Sequence, residues 1–281
     1  ARNAAEGLVY RLSLEGYRAD RKDGKIMLIP DGAEDPEWSI SAPLMVDSNG
    51  SESGDITIEL SEYEEAYTVT IRPDADWLLS DEREYPIVID PTITKTVTGA
   101  SINTTTVASG YASAMYNWGW FRCGRSTEYG MMRAALEFTL PNILTESDMV
   151  IDSQIIIKQR LFHEGDEAAL TINAHKITSS SALSALTWAN LEGNYNTTVL
   201  DSQTINAASN YAFISFDVTK LVKEAYTGSG RTIKIALISE NESTYKHSEF
   251  YSPHNPDIPA SYYPVFSMTF INQEGLEGYL S

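Results

Sequence analysis

Hydrophobic and polar residues alternate along most of this 281-residue chain. In residues 54–62, for example, Ile56, Ile58 and Leu60 would share one face of a strand, and Thr57 and Glu59 the other. Successive side chains of a strand point to opposite faces, so this pattern predicts half-buried antiparallel strands. It recurs at 66–73, 155–162, 169–177, 212–218, 232–239 and 264–272.

Helical spacing is scarce by comparison. Residues 216–229 are predicted to form a helix, because Leu221, Val222 and Tyr226 recur at helical intervals and Gly228 can end it. Residues 74–82 predict one short turn of helix. Many short strands separated by turn residues are typical of β-sandwiches. The predicted fold is therefore all-β, with two β-rich domains, and the C-terminal one a jelly-roll β-sandwich with one short helix.

The domain boundary is predicted near residue 93. Pro86 and Pro91 bracket a short apolar strand, and a stretch rich in Ser, Thr, Ala and Gly follows from 92 to 113. We therefore predict an N-terminal β-rich domain at 1–93, the jelly-roll domain at 94–272, and the start of a linker at 273–281.

Charge and cysteine content narrow the classes of partner. The net charge of −19 repels phosphate backbones and anionic lipids, so neither nucleic acid nor membrane is an expected partner. No apolar run approaches the ~18–20 residues of a membrane helix, so membrane insertion is not predicted. A single cysteine excludes an internal disulfide and any site built from several thiolates.

The sequence offers no recognisable catalytic motif. Residues 163–167 begin like the zinc-protease helix motif, but the second histidine is missing and Gly165 would break the helix, so a turn is predicted. The protein is therefore predicted not to be an enzyme and to need no cofactor. A structural calcium ion is left open, with Asp166, Glu167 and Asp257 as weak candidate ligands.

Residues 116–125 form the densest aromatic segment of the chain. By strand alternation, Trp120 and Arg122 would share one face, while Phe121 and Cys123 would lie in the core. Such a segment could be a ligand platform or part of an ordinary core. A buried, inert thiol is the better interpretation of Cys123, because no base stands beside it in the sequence.

Several segments resemble known bacterial surface proteins. Residues 77–93 resemble the junction before DNRLRE-type domains in large wall-associated proteins of the RHS/YD-repeat kind, and 40–50 resemble their upstream β-rich region. The order of five further segments is similar to that of the DNRLRE-type domain: 116–124, 133–141, 187–195, 216–229 and 250–270. The DNRLRE signature itself is absent, and Thr139 stands where the family has Asp. Residues 272–281 resemble the section that leads into the repeats.

The resemblance implies a jelly roll of carbohydrate-binding type in an extracellular, secreted or cell-surface bacterial protein. Related modules bind acidic polysaccharides such as alginate. A glycan is therefore the expected ligand, since aromatic rings stack on sugar C–H surfaces and polar neighbours bind the hydroxyls. The candidate ligand-binding residues are Tyr111, Tyr116, Asn117, Trp118, Trp120, Arg122 and Arg125.

Two other functions remain open at this stage. A Tyr/Trp/Arg surface also suits a host protein such as mucin or an immunoglobulin. Alternatively, the chain could be a structural domain of the repeat shell, with other domains of the same large protein as its partners. Fold resemblance by itself does not choose among these functions.

Overall fold

A computed structural model describes residues 7–63, 66–90, 93–97, 102–113, 115–116, 119–142, 144, 149–163, 169–228 and 230–271. The strands are β1 Leu8–Leu12, β2 Tyr17–Lys22, β3 Lys25–Pro30, β4 Trp38–Ile40, β5 Leu44–Val46, β6 Glu52–Ser53, β7 Ile56–Tyr63, β8 Ala66–Pro73, β9 Val88–Asp90, β10 Ile93–Val97, β11 Ile102–Ala108, β12 Met115–Tyr116, β13 Trp120–Ser126, β14 Gly130–Thr139, β15 Met149–His163, β16 Leu170–Ile177, β17 Tyr195–Ile205, β18 Phe213–Asp217, β19 Thr232–Ser239, β20 His247–Tyr251 and β21 Val265–Ile271.

The helices are few and short. They are α1 Ala75–Leu78, α2 Trp188–Leu191 and α3 Thr219–Thr227, with 3₁₀ turns at Leu183–Ala185, Ala207–Ser209 and Ala260–Tyr262. The predicted helix and the predicted short turn are thereby confirmed as α3 and α1. None of the helices in the described ranges is long and apolar enough to cross a membrane.

The chain divides into two compact units. One comprises 1–96, 145–151 and 268–281, and the other comprises 97–144 and 152–267. The predicted bounds of 1–93, 94–272 and 273–281 stay a prediction, and residues 272–281 lie outside the described residues.

In the first unit, antiparallel strands surround a small apolar core. Strands pair in the orders β1-β8-β7, β10-β4-β3-β2 and β6-β5-β9. The alternating residues of β7 and β8 point inward as predicted, since Ile58 lies opposite Ile71 and both are buried. The buried core residues are Ile26, Met45, Ile56, Ile58, Val69, Ile71, Leu78 and Ile87.

In the second unit, a curled antiparallel sheet has the order β17-β16-β19-β14-β13-β20-β15, with β11 pairing β14 and β18 pairing β15. Strand β14 pairs β13 through its first residues and β11 and β19 through the rest.

All seven predicted strands are present as β7, β8, β15, β16, β18, β19 and β21. The all-β prediction is confirmed, and the arrangement is consistent with a β-sandwich.

Phenylalanine rings fill the core of the second unit. Phe121 stacks on Phe250 with ring centroids 5.3 Å apart, and Phe138 meets Phe266 at 4.8 Å. A second cluster packs the other side of β14 and β19 under the segment that contains α2; its buried members are Val107, Ala135, Ile177, Leu183, Leu186, Leu191, Ala236 and Ile238. Burial on both sides fixes the register of these strands, because a one-residue slip would move every side chain to the opposite face and disrupt the packing of both clusters.

Candidate functional site

The register between β13 and β20 separates a core face from an outer face. Phe121 lies opposite Phe250 and Cys123 opposite Ser248, and all four are buried. The alternate residues point the other way, so Trp120 pairs with Tyr251 and Arg122 with Glu249 on the outer face. The predicted core positions of Phe121 and Cys123 are confirmed.

Aromatic rings and cations are layered on this outer face. The Arg160 guanidinium lies 4.2 Å from the centroid of the Trp120 ring. Next to Trp120, Tyr251 meets Tyr262 at a centroid distance of 5.0 Å. Arg160 reaches Trp120 from β15, where the register with β20 shifts between residues 159 and 161. Such a β-bulge redirects a side chain, and bulges are frequent beside functional sites.

The ring surface continues beyond Tyr262. The Lys158 ammonium lies 3.4 Å from the centroid of Tyr262 and 4.8 Å from that of Phe213. Phe213 is 56% exposed and Tyr211 is 58% exposed, which is high for rings of their size. We call this surface the aromatic face; its members are Trp120, Tyr211, Phe213, Tyr251 and Tyr262.

A buried glutamine holds the loop that carries Tyr211. The side chain of Gln159 is fully buried, donates to the Asn206 carbonyl at 3.2 Å and to Asn210 Oδ1 at 3.1 Å, and accepts from Ser209 Oγ at 2.7 Å. Tyr211 adopts φ +68°, a left-handed conformation that is unfavourable for a residue with a bulky side chain. Backbone strain of this kind concentrates at functional sites and persists only where neighbours enforce it.

A buried ion-pair network lies beside the aromatic face. Arg122 Nε donates to Glu249 Oε1 at 3.0 Å, and Arg160 Nη1 donates to Glu249 Oε2. Burial by itself would raise the pKa of Glu249, but the Arg122 hydrogen bond and the charges of Arg122 and Arg160 lower it below its usual value. The carboxylate is therefore ionised at neutral pH and both of its oxygens are engaged.

Two histidines extend this network. His163 and His247 are cross-strand partners, and their rings stack with centroids 4.4 Å apart and planes 8° from parallel. Burial and the neighbouring His163 lower the pKa of His247 to about 4. His247 is consequently neutral at neutral pH.

A second charged cluster lies on the sheet formed by β14, β16, β17 and β19. Arg133 is almost fully buried and makes paired hydrogen bonds to Glu242 at 2.8 and 2.7 Å, and one to Glu192 at 2.5 Å. Its guanidinium also lies over the rings of Trp188 at 4.3 Å and Tyr195 at 5.3 Å. Because every side of Arg133 is occupied, we interpret this cluster as structural.

Comparison with known proteins identifies the family. The profile of carbohydrate-binding module family 96 matches residues 96–261, which is more than half of the chain. The chain belongs to this family. The family 96 match covers the aromatic face almost completely, since only Tyr262 falls one residue beyond it.

Other comparisons add nothing on function. No curated protein matches the chain. The structure of infectious bursal disease virus Gx strain is 11% identical, with 95% of this chain and 75% of that chain covered and a TM-score of 0.16. For the Gt strain the identity is 9%, the coverages 94% and 65%, and the TM-score 0.10. TM-scores this low do not indicate a shared fold, so we conclude nothing about the chain from either structure.

Some of the candidate residues lie near the aromatic face of this family 96 module. Tyr111 is 46% exposed and contacts Tyr129 at a centroid distance of 6.1 Å; Arg122 lies over the Tyr129 ring at 5.3 Å. Arg122 itself is buried and bound to Glu249. It is therefore suited to orienting its neighbours rather than to contacting a ligand. Arg125 lies instead over Tyr245, at 4.6 Å.

Four of the remaining candidates lie outside the described residues, and two lie within them. Tyr116 pairs through its backbone with Thr105 in β12 and β11, and Asn117 and Trp118 lie outside the described residues. The candidate calcium ligands Asp166 and Glu167 also lie outside them. Asp257 is exposed in a turn, where its backbone N–H donates to Asn255 Oδ1 at 3.0 Å.

Most residues of the aromatic face carry no signal in the sequence that predicts them as binding residues. Tyr251 and Tyr262 stand in 250–270, which the sequence marks only as one segment of the family resemblance, and Arg160 stands in an ordinary alternating strand. For Phe213 a signal did exist, because alternation in 212–218 puts Ile214 and Phe216 inward and Phe213 outward. Nothing in the sequence singles out Gln159 as the residue that holds the Tyr211 loop.

The Cys123 thiol is expected to be unreactive in the folded protein. It is fully buried and its Sγ contacts the Leu237 carbonyl at 3.3 Å. Burial and then the charge of Glu242 raise the pKa of Cys123 far above its usual value, so the reactive thiolate is absent at neutral pH. A disulfide reagent such as DTNB should therefore leave the native protein unlabelled and titrate one thiol per chain in concentrated urea.

A surface cysteine provides the control for this labelling. Val199→Cys places a thiol at a position that is exposed in β17 and should react at once in the native state. The interpretation of Cys123 fails if the unmodified protein reacts as fast as the Val199→Cys variant.

Proposed function

We propose that this chain is a non-catalytic module that binds a glycan through the aromatic face. The observation that carries the proposal is the layering of rings and cations across the half-buried Trp120, Tyr251 and Tyr262 and the exposed Phe213. Rings supply flat apolar surface for sugar C–H groups, and the cations and phenol hydroxyls supply hydrogen bonds. Membership of a carbohydrate-binding module family supports the same ligand class.

The chemistry of Glu249 supports a non-catalytic role. Glycoside hydrolysis needs one carboxylic acid that donates a proton and a second carboxylate that acts as a base or nucleophile. Glu249 lies beside the rings, but its two arginine partners each contact one carboxylate oxygen and keep the group ionised. It is therefore unsuited to donate a proton to a sugar at neutral pH.

The proposal places the module outside the cell, in a large bacterial surface protein of the RHS/YD-repeat kind. The support is the ordered resemblance of residues 40–50, 77–93 and the later segments to such proteins. Polysaccharide is abundant in that setting.

Polysaccharide binding by the wild type and a double variant tests the proposal. Tyr211→Ala combined with Phe213→Ala removes the two most exposed rings of the aromatic face. Loss of two ring contacts of about 1 kcal/mol each should weaken binding at least ~10-fold. Affinity electrophoresis and calorimetry with alginate, polygalacturonate, cellulose and xylan provide the measurement.

Val199→Ala serves as the control, because it trims an exposed apolar residue of β17 and should leave binding unchanged. Unaltered affinity of the double variant would assign binding to another surface. A protein ligand would be favoured instead if the wild type bound none of the four polysaccharides but captured a mucin both before and after the mucin was deglycosylated.

A further inference from the structure

His163, His247 and Glu249 bring three potential metal ligands together. One ligand atom from each residue lies within 4.8 Å of the other two. His163 Nε2 is 3.6 Å from Glu249 Oε2. His163 Nε2 and His247 Nδ1 are shielded from solvent and have no hydrogen-bond partner within the described part of the chain. Buried ring nitrogens are normally satisfied, so this cluster requires an explanation.

We propose that these three residues form a binding site for a divalent transition-metal ion such as Zn²⁺. Two imidazoles and one carboxylate are ligands that zinc, nickel and copper accept, whereas calcium and magnesium require mostly oxygen ligands. Three protein ligands leave further coordination positions for water.

The surroundings of Glu249 match those of a metal-binding carboxylate. Ligating side chains are usually held by hydrogen bonds from a second layer of residues. Here Arg122 Nε donates to Oε1 and Arg160 contacts Oε2. Because Oε2 has two lone pairs and Arg160 uses one of them, the other is available to a metal ion. Because these two guanidinium groups repel a dication, we expect affinity in the micromolar range.

The stacked rings must move for both to bind one ion. A metal lies close to the plane of each imidazole that coordinates it, and two parallel planes cannot both contain it. The His163 side chain is 40% exposed and is therefore free to rotate out of the stack with His247. Metal binding should therefore abolish the parallel stack by turning His163.

Titration of untagged protein with ZnCl₂ tests the site, with CaCl₂ and MgCl₂ in parallel. Calorimetry should show one Zn²⁺ per chain and no saturable binding of Ca²⁺ or Mg²⁺. His163→Ala and His247→Ala should each weaken Zn²⁺ binding at least ~10-fold. Co²⁺ should give visible absorption bands in the wild type that both variants lose.

His175→Ala is the matched control, since His175 is a strand histidine whose Nδ1 already pairs with the Asn196 carbonyl at 2.9 Å. It should bind Zn²⁺ as the wild type does. Circular dichroism and urea midpoints verify that each variant is folded. The proposal is overturned if the wild type shows no saturable Zn²⁺ binding, or if the folded His163→Ala and His247→Ala variants bind it with unchanged affinity. Neither result depends on glycan binding.

Discussion

Gly124→Ala should destabilise the second unit by at least ~4 kcal/mol and leave little soluble protein. Gly124 has φ +121°, which a residue with a side chain rarely adopts. An added Cβ would lie 2.2 Å from the Lys246 carbonyl oxygen and 2.6 Å from His247 Cα. Both atoms belong to backbone, so β13 and β20 would have to separate. Soluble yield and the urea unfolding midpoint measure the effect.

Gly193→Ala is the control for Gly124→Ala, because it measures the loss of stability caused by a positive φ without a steric clash. Gly193 has φ +72°, but an added Cβ would meet nothing within 4 Å. The variant should fold and lose about 1 kcal/mol. Equal stability losses at the two positions would show that the backbone contact across β13 and β20 does not matter.

Arg133→Met should cost about 3 kcal/mol of unfolding free energy. The substitution keeps an unbranched apolar side chain over Trp188 but leaves Glu242 and Glu192 without their shared cation. Removing one member of a buried ion pair costs far more than the pair contributes, because the remaining charge stays desolvated; here that charge is Glu242, whose side chain is 19% exposed, whereas Glu192 is half exposed. Urea denaturation followed by circular dichroism gives the change in midpoint.

Lys176→Met is the comparison for Arg133→Met. Lys176 pairs with Glu224 at 3.0 Å, but both side chains are more than 40% exposed. Its loss should change stability by less than ~1 kcal/mol. A similar effect of both substitutions would contradict the structural role of Arg133.

Local patterns in the sequence were sufficient for part of the secondary structure. Alternation predicted seven of the described strands and the inward positions of Phe121 and Cys123, and helical spacing predicted α3, since each of these depends only on near neighbours in the chain. The resemblance to surface-protein segments added the carbohydrate-binding class, which the family match supports.

The candidate site depends on strand pairing, which no local pattern encodes. Trp120 lies beside Tyr251 because β13 pairs with β20, and Glu249 is 127 positions from its partner Arg122. His163 and His247 are 84 positions apart in the chain and meet only because β15 pairs with β20. A β-bulge at Arg160 and a loop held by Gln159 complete the face, and both are set by tertiary contacts rather than by residue type.

The Gln159 contacts have a thermodynamic consequence for binding. A loop that orders only when ligand arrives subtracts its lost conformational entropy from the affinity. Here Gln159 holds the Asn206–Asn210 segment, and with it the left-handed Tyr211, in the free protein. That entropy is lost during folding instead, so the loop is preorganised. We therefore expect the affinity of the proposed binding face to depend on the buried Gln159 amide, which lies behind the ring surface.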